Sequence, residues 1–322
     1  MQPIRYLSLA VAATFATLSS TGAQAQSYPN RTVTLVAPST PGSTPDVLAR
    51  LVAQRLTQTW GQSVVVINKS GAGGDIGSDS VVRAESDGYT VLLGTIALTV
   101  NPHFQKKRQF ELSQLMPVSL IASAPDLLVV HPSFKVKTVK DLVAYLRDVP
   151  STPAAHAGLG TTPQLSLAMF ALDTKAQFVT VPYQGGGAAQ LGILSNQIPF
   201  MFSTSVGVLP HVRSGKLNAI AVTSKQRLAA APDVPTMAES GVPGFDLSAW
   251  FGLFVPAKTP QPIVDKIAQT AKSIVESAEF SEKLKEMGAE PSYMSPPQFK
   301  EYVAAENTKW GRLVEAAQLR TD

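Results

Sequence analysis

Short apolar segments of strand length alternate with amphipathic segments of helix length in the first part of the chain. Residues 32–37 and 64–68 are predicted as buried strands, because each is a short apolar run bounded by turn residues. Between them, over 46–60, apolar residues recur at the i, i+3 and i+4 spacing of an amphipathic helix. A Gly-rich loop, a short helix and a strand are predicted next, at 69–77, 78–85 and 89–94. This β-α-β-α-β order predicts a mainly parallel sheet covered by helices.

The same alternation returns in the second half and predicts a second open sheet. Its strands are predicted at 127–130, 154–157, 178–182, 198–202 and 217–223. Its helices are predicted at 138–147, where Thr138 and Asp141 resemble a capping box, and at 163–172, 188–194 and 206–214. After residue 259 the chain is predicted to be helical, at 263–277, 280–287 and 297–317, the last helix capped by Ser295.

Two long, apolar, extended segments separate these halves, at 117–130 and 247–255. If both cross between lobes, the middle of the chain forms one lobe and the two ends come together in the other. A hinge between open sheets places a ligand cleft at the strand ends. We therefore predict an α/β protein with lobe one at 26–124 and 248–322, and lobe two at 125–247.

The first residues predict export. Residues 1–5 carry one positive charge, 6–18 form a short apolar run, and the small-residue stretch ends at Ala23-Gln24-Ala25. This is the layout of a signal peptide at 1–25, cleaved before Gln26, and the apolar run is too short for a comfortable membrane anchor. The chain has no cysteine, so a disulfide framework and cysteine-based metal sites are excluded. A large core without disulfides fits a bacterial periplasm.

Charge argues against a nucleic-acid partner. The net charge is +4, but the basic residues are scattered and 106–108 is the only tight basic run. A nucleic-acid footprint needs a clustered basic face. Only 16% of residues are charged, which is typical of a chain that buries much of its length.

Four loops at predicted strand-to-helix junctions are rich in Gly, Ser and Thr. In the first, 41–46, Thr44 is predicted as an N-cap and Pro45 as the first helical residue. The pattern recurs at 158–163, with Thr162 as the cap, and Gly-rich loops lie at 71–77 and 183–187. Amides at helix N-termini bind anions, and two such loops per lobe indicate a small anionic ligand.

No catalytic, nucleotide or metal motif accompanies these loops. The sequence contains no phosphate-binding G-x-x-x-x-G-K-[ST], no G-x-S-x-G and no H-E-x-x-H. The four histidines lie far apart in sequence; His156 could reach a ligand, but a structural role is the better interpretation. Trp250 is interpreted as hinge core. We therefore expect no cofactor, no metal and no enzymatic activity.

Ordered motifs along nearly the whole chain resemble the Bug-type receptors of tripartite tricarboxylate transporters. The motifs are Tyr28-Pro29, the 38–46 loop with Ala49-Arg50, Asn68, 71–77, 87–93, 181–185, Gly215-Lys-Leu217, 221–224, 232–236, 239–241 and Trp250. The resemblance implies a type II periplasmic-binding-protein fold that closes around its ligand, and a small carboxylate held through backbone amides and bridging water.

The resemblance also implies which residues bind. Lobe one would supply the two loops that hold the carboxylate, 40–46 and 71–76, and lobe two the side chains that select the rest of the ligand. The predicted ligand-binding residues are Thr40, Pro41, Gly42, Ser43, Thr44, Asp46, Gly71, Ala72, Gly73, Gly74, Ile76, Thr95, Thr161, Thr162, Gln164, Tyr183 and Gly185. Asp46 is expected to organise its loop, since like charges repel.

Two departures from the family pattern prevent transfer of a citrate or amino-acid specificity. Gly42-Ser43 stands where the family usually has Gly-Gly, and Gln164-Leu165 where it often has His-Leu. An amide at 164 can both donate and accept, so the second ligand group need not be a carboxylate.

Three functional classes remain open on the sequence. The first is a monomeric receptor that delivers a mono- or dicarboxylate, amino acid or aromatic acid to the membrane permease of a tripartite tricarboxylate-type transporter. The second is a sensor that presents the same ligand to a membrane signalling protein. A secreted enzyme acting on small acids is the third, and the residue inventory offers it no nucleophile–base pair.

Overall fold

The computed structural model describes residues 28–104 and 108–317. The predicted signal peptide at 1–25, and Lys106 and Lys107 of the basic run, lie outside the described residues. Within the described part, no helix has the length and apolar character that a membrane crossing requires.

The described residues form ten strands and ten α-helices, and helices separate most of the strands. The strands are β1 (Val33–Ala37), β2 (Val64–Asn68), β3 (Thr90–Thr95), β4 (Leu115–Val130), β5 (Pro153–His156), β6 (Val179–Pro182), β7 (Phe200–Thr204), β8 (Asn218–Val222), β9 (Ser248–Pro256) and β10 (Glu290–Met294). The helices are α1 (Thr44–Trp60), α2 (Asp75–Val82), α3 (Ala97–Phe104), α4 (Val139–Asp148), α5 (Thr162–Thr174), α6 (Gly186–Leu194), α7 (Ser205–Arg213), α8 (Gln261–Val275), α9 (Ala278–Glu286) and α10 (Pro296–Ala316).

Parallel pairing dominates the outer part of each half of the sheet. The strand order is β2-β1-β3-β9-β4-β7-β5-β6, and β8 and β10 also pair with β4. Pairs β1–β2, β1–β3, β5–β6 and β5–β7 are parallel, whereas β4 and β9 pair antiparallel with their neighbours. The α/β architecture predicted from the alternating pattern is thereby confirmed.

Strand β4 belongs to both halves of the sheet. Its residues from Leu115 to Pro125 pair with β9, and from Asp126 onward they pair with β7 and β8. This change of partners, the switch in β4, lies between Pro125 and Asp126. Thr223, which follows β8, links the switch to the residue before β9: its hydroxyl donates to Leu247 O at 2.7 Å, and its backbone N–H donates to Asp126 O at 3.0 Å. The two extended segments predicted as crossings are thus strands β4 and β9.

A continuous apolar core runs through this junction. One cluster of buried side chains includes Leu92 and Phe254 on one side and Leu128 and Phe202 on the other. Trp250 is buried there with 1% exposure, and its ring lies 5.8 Å from that of Phe299 in an edge-to-face arrangement. The interpretation of Trp250 as core is therefore confirmed.

Two predicted N-caps are wrong by one residue. Helix α1 begins at Thr44 and helix α5 at Thr162, so the caps are Ser43 and Thr161, which have extended backbones. Proline is tolerated at the second helical position as well as the first, because no intrahelical bond needs its missing N–H in either place. The Ser43 hydroxyl does not cap the helix; it donates to Thr40 O at 2.7 Å and fixes the loop.

The sequence pattern missed two elements and misplaced a third. Helix α3 contains Pro102 and polar residues that hide its periodicity. Strand β10 contains Pro291, is half-buried throughout, and pairs with β4 in the region predicted as purely helical. Helix α2 begins at Asp75 rather than 78, because 72–74 already form a 3₁₀ turn that leads into it.

Candidate ligand-binding cleft

A cavity of about 530 Å³ lies between the two halves of the sheet. Most of its wall comes from the four loops that follow β1, β2, β5 and β6, each of which leads into a helix. Ligands bind at the carboxyl ends of strands in open α/β sheets, and both halves present those ends to the same space.

Most of the predicted site residues line this cleft. Those on the wall are Thr40, Ser43, Thr44, Gly71, Ala72, Gly73, Gly74, Thr95, Thr161, Thr162, Tyr183 and Gly185. The remaining predicted residues are not part of the wall: Pro41, Gly42, Asp46, Ile76 and Gln164. Ile76 is half exposed, and an added Cβ at Gly71 would meet its side chain at 2.6 Å.

The side chains of Asp46 and Gln164 lie off the cleft wall and hydrogen-bond to the backbone of the cleft loops. Asp46 accepts from Gly42 N at 2.8 Å and from Asn68 Nδ2 at 3.0 Å, and it forms an ion pair with Arg50. Burial alone would raise the pKa of Asp46, but the bonds from these three residues together hold it below its usual value. Gln164 Oε1 accepts from Gly160 N at 2.8 Å, so this amide shapes the lobe-two loop.

Among the residues that the structure describes, the wall of the cleft has no charged side chain. It consists of Gly, Ala, Pro, Ser, Thr, Gln, Tyr and apolar residues, and it includes the first turns of α1, α5 and α6. The amino-terminal ends of helices carry partial positive charge and N–H groups without helical partners. A small anion is therefore matched by backbone donors and hydroxyls from both sides.

The wall also contains residues that were not among the predicted site residues. Gln190, Ser203 and Thr204 add polar groups, and Met201, Ala249 and Phe251 add an apolar surface. Ser203 and Thr204 end β7 directly before α7, so they stand at one more strand-to-helix junction and could have been found by the same rule. Phe251 lies in the middle of β9, and an apolar strand residue carries no such signal.

The two sides of the cleft touch each other across its mouth. An added Cβ at Gly160 would overlap Asn101 Oδ1, and one at Gly73 would lie 2.9 Å from Leu159 O. Gly73 and Asn101 precede the switch in β4, whereas Leu159 and Gly160 follow it. The approach of the two backbones thus needs glycine at 73 and 160.

The 71–74 loop is anchored by a buried ion pair. Arg108 donates to both carboxylate oxygens of Asp75, from Nε at 2.9 Å and from Nη2 at 2.8 Å. Their side chains are only 6% and 10% exposed. Asn101 Nδ2 donates to Asp75 Oδ1 at 2.9 Å, and the same group lies 3.3 Å from Gly73 O. Arg108 therefore positions the loop although it lies far from it in sequence.

A second buried carboxylate lies beneath the opposite wall. Asp126 is fully buried, and its oxygens accept from Ser166 Oγ at 2.8 Å and from Thr162 Oγ1 at 3.1 Å. The Thr204 hydroxyl also bonds to it. Burial raises the pKa of Asp126 to about 6, although these hydroxyls favour the ionised form.

His156 is a structural residue. It is 4% exposed and does not line the cleft, and its Nδ1 lies 3.2 Å from Gly158 N. Burial lowers the pKa of His156. Across residues 28–104 and 108–317, no cluster of three or more His, Cys, Asp or Glu side chains could hold a metal ion.

Comparison with known proteins shows one consistent likeness. A profile described as tripartite tricarboxylate transporter family receptor matches residues 48–319. Rpa4515 of R. palustris, solved with adipate, is 34% identical with a TM-score of 0.88, covering 90% of this chain and 98% of its own. MatC (Rpa3494) from Rhodopseudomonas palustris, solved with malate, is 30% identical with a TM-score of 0.83, covering 89% and 100%.

A third solved structure carries the name of the family that the motifs resemble. The periplasmic binding protein BugD is 32% identical with a TM-score of 0.87, covering 92% of this chain and 100% of its own. These likenesses confirm the type II periplasmic-binding-protein fold and the predicted resemblance to Bug-type receptors.

We expect Arg108→Met to destabilise the protein by about 3 kcal/mol or more, because it leaves the buried Asp75 carboxylate without its cationic partner. Urea unfolding followed by circular dichroism measures the change. Arg227→Met is the matched control: Arg227 pairs with Glu239, and their side chains are 46% and 47% exposed, so its loss should cost far less. Equal costs for the two variants would contradict the anchoring role of Arg108.

Asp126 predicts a pH dependence of stability. Between about pH 4 and 6 the folded protein retains a proton on Asp126 that the unfolded chain has released, so the free energy of unfolding falls as pH rises, by up to about 3 kcal/mol. We expect Asp126→Asn to remove this decline, measured as urea unfolding at pH 4, 5, 6 and 7. Parallel curves for variant and wild type would show that Asp126 titrates normally.

Proposed function

The chain belongs to the tripartite tricarboxylate transporter receptor family, and we propose that it is a periplasmic solute-binding receptor that traps a small carboxylate by closure of two lobes. In this proposal the protein is not an enzyme and needs no cofactor. The signal-peptide pattern at 1–25 supports export.

The absence of charged side chains from the described part of the wall is the observation that carries the proposal. Helix starts and hydroxyls from both sides converge on the cavity, so a carboxylate would receive hydrogen bonds without a cationic side chain. The related Rpa4515 and MatC were solved with adipate and malate, which are both small carboxylates. Ligand-binding roles are proposed for the predicted residues on the wall, with loop-positioning roles for Asp46 and Gln164.

Closure would occur about β4 and β9. We assign 26–124 and 248–322 to lobe one and 125–247 to lobe two, because β4 changes partners between Pro125 and Asp126. A ligand that contacts both lobes favours the closed state by its extra contacts there. Delivery to the permease of a tripartite transporter is the proposed outcome of closure.

The test is thermal unfolding of the mature protein with carboxylates and their neutral amides, after co-purified ligand has been removed by unfolding and refolding. A carboxylate at about one hundred times its dissociation constant should add roughly 2.7 kcal/mol of stability, and the matching amide should add far less. If amides and acids stabilise equally, or if no small acid stabilises, the proposal is wrong.

Gly160→Ala tests closure with a matched control. Gly160 and Gly215 have nearly the same backbone angle, φ +71° and +70°, so alanine strains both equally. A Cβ at Gly160 would overlap Asn101, whereas one at Gly215 would meet nothing within 4 Å. We expect Gly160→Ala to weaken carboxylate binding at least tenfold by calorimetry and Gly215→Ala to leave it unchanged. Equal affinities would mean that the close approach of Gly160 to Asn101 is not part of the ligand-bound state.

Delivery of the bound solute to a permease is tested by an uptake measurement in cells. Deletion of the gene should abolish uptake of the identified solute and should be rescued by the wild-type chain, but not by Gly160→Ala. Loss of a solute-dependent transcriptional response with uptake intact would instead assign the same cleft to a sensor.

A further inference from the structure

The two buried carboxylates next to the loops of lobe one have cationic partners. Asp46 is paired with Arg50 at 3.0 Å, and Asp75 with Arg108 at 2.8 Å. Their negative charges are therefore largely cancelled at the point where the loops meet the cleft.

Asp126, under the wall of lobe two, has a different environment. The groups bonded to its carboxylate are the hydroxyls of Thr162, Ser166 and Thr204, and no charged neighbour contributes to its pKa. Thr162 and Thr204 themselves line the cleft, so a single layer of hydroxyls separates the carboxylate from a ligand. Two successive hydrogen bonds span roughly 6 Å.

The elements packed around Asp126 carry few charges. Strands β4, β7, β8 and β9 contain no other charged residue. Strand β10 contains Glu290, opposite Ser123 of β4, and β5 contains only His156, whose pKa burial lowers. Helix α5 contains only Asp173, near its far end, roughly 10 Å beyond Ser166 along the helix axis. Helix α7 carries His211 and Arg213 in its last turn.

One more charged pair stands beyond this shell. Lys225 and Asp246 follow β8 and precede β9, and they bond to each other at 3.3 Å with side chains 80% and 41% exposed. Solvent screens such a pair, so it does not neutralise a buried charge. The main stabilisation of the Asp126 carboxylate therefore comes from the positive amino-terminal end of α5, where two of its hydrogen-bond donors lie.

We propose that Asp126 is a specificity-determining residue that disfavours a second negative charge at the lobe-two end of the cleft. The ligand would place its carboxylate at the loops of lobe one and an uncharged group at lobe two. This inference rests on the proposed carboxylate-receptor function and narrows its substrate class to monoanions with a neutral distal end. Met201 and Phe251 on the wall suit an apolar body between the two ends.

The test compares two ligands that differ by one charge, adipate and monomethyl adipate, by calorimetry at pH 7.5. Wild-type protein should bind the monoester more tightly than the dianion. Asp126→Asn should tighten adipate binding by about tenfold or more, since a unit charge at this distance acts through an effective dielectric near 20. Its affinity for the monoester should change less than about threefold.

Asp173→Asn is the matched control, because it removes the same charge from the same helix at its far end. We expect it to leave the ratio of the two affinities unchanged. An unchanged ratio in Asp126→Asn as well, or a change of equal size in both variants, would overturn the inference.

Wild-type protein alone supplies a second measurement, should the Asn variant fold poorly. Lowering the pH from 7.5 to 5.5 protonates a group with a pKa of about 6, so adipate should gain affinity relative to its monoester. Protonation of the ligands themselves is corrected with their own pKa values, titrated in the same buffer. A ratio independent of pH would overturn the inference and leave the receptor function standing, whereas failure of both ligands and of every other small acid would count against that function.

Discussion

The passage of one strand through both halves of the sheet is the constraint on which the rest of the structure depends. Strand β4 pairs with β9 up to Pro125 and with β7 from Asp126 onward, so one continuous strand joins the two halves of the sheet. Because parallel strands flank this junction on both sides, their carboxyl ends open onto one cavity. Glycines 73 and 160 then allow the facing loops to meet.

The buried carboxylates on the two sides of that cavity have different kinds of partner. Arginines neutralise Asp46 and Asp75 next to the first two loops, so these loops can offer undiminished positive helix ends to an anion. Lobe two keeps Asp126 buried with hydroxyl partners only. In the proposed receptor, amides and hydroxyls would bind the carboxylate without a cationic side chain, and this single buried charge would separate one ligand class from another.

Local patterns predicted most of the fold and much of the cleft. Periodicity located the outer strands, and the cap residues Thr138 and Ser295 marked two helix starts, because those signals are local in sequence. Strand β10 escaped prediction because only its pairing with β4 makes it a strand. Arg108 and Asp126 escaped for the same reason: a lone charge in sequence does not reveal a partner or a burial that tertiary contacts create.

The most direct test of the central claim is a crystal structure of the protein with a bound small carboxylate. We predict carboxylate oxygens within 2.7–3.2 Å of backbone N–H groups or hydroxyls of the 38–45 and 70–74 loops, directly or through one water, with contacts to 157–163 from the other side. A ligand held by an arginine, lysine or histidine side chain, or bound outside this cleft, would contradict the account.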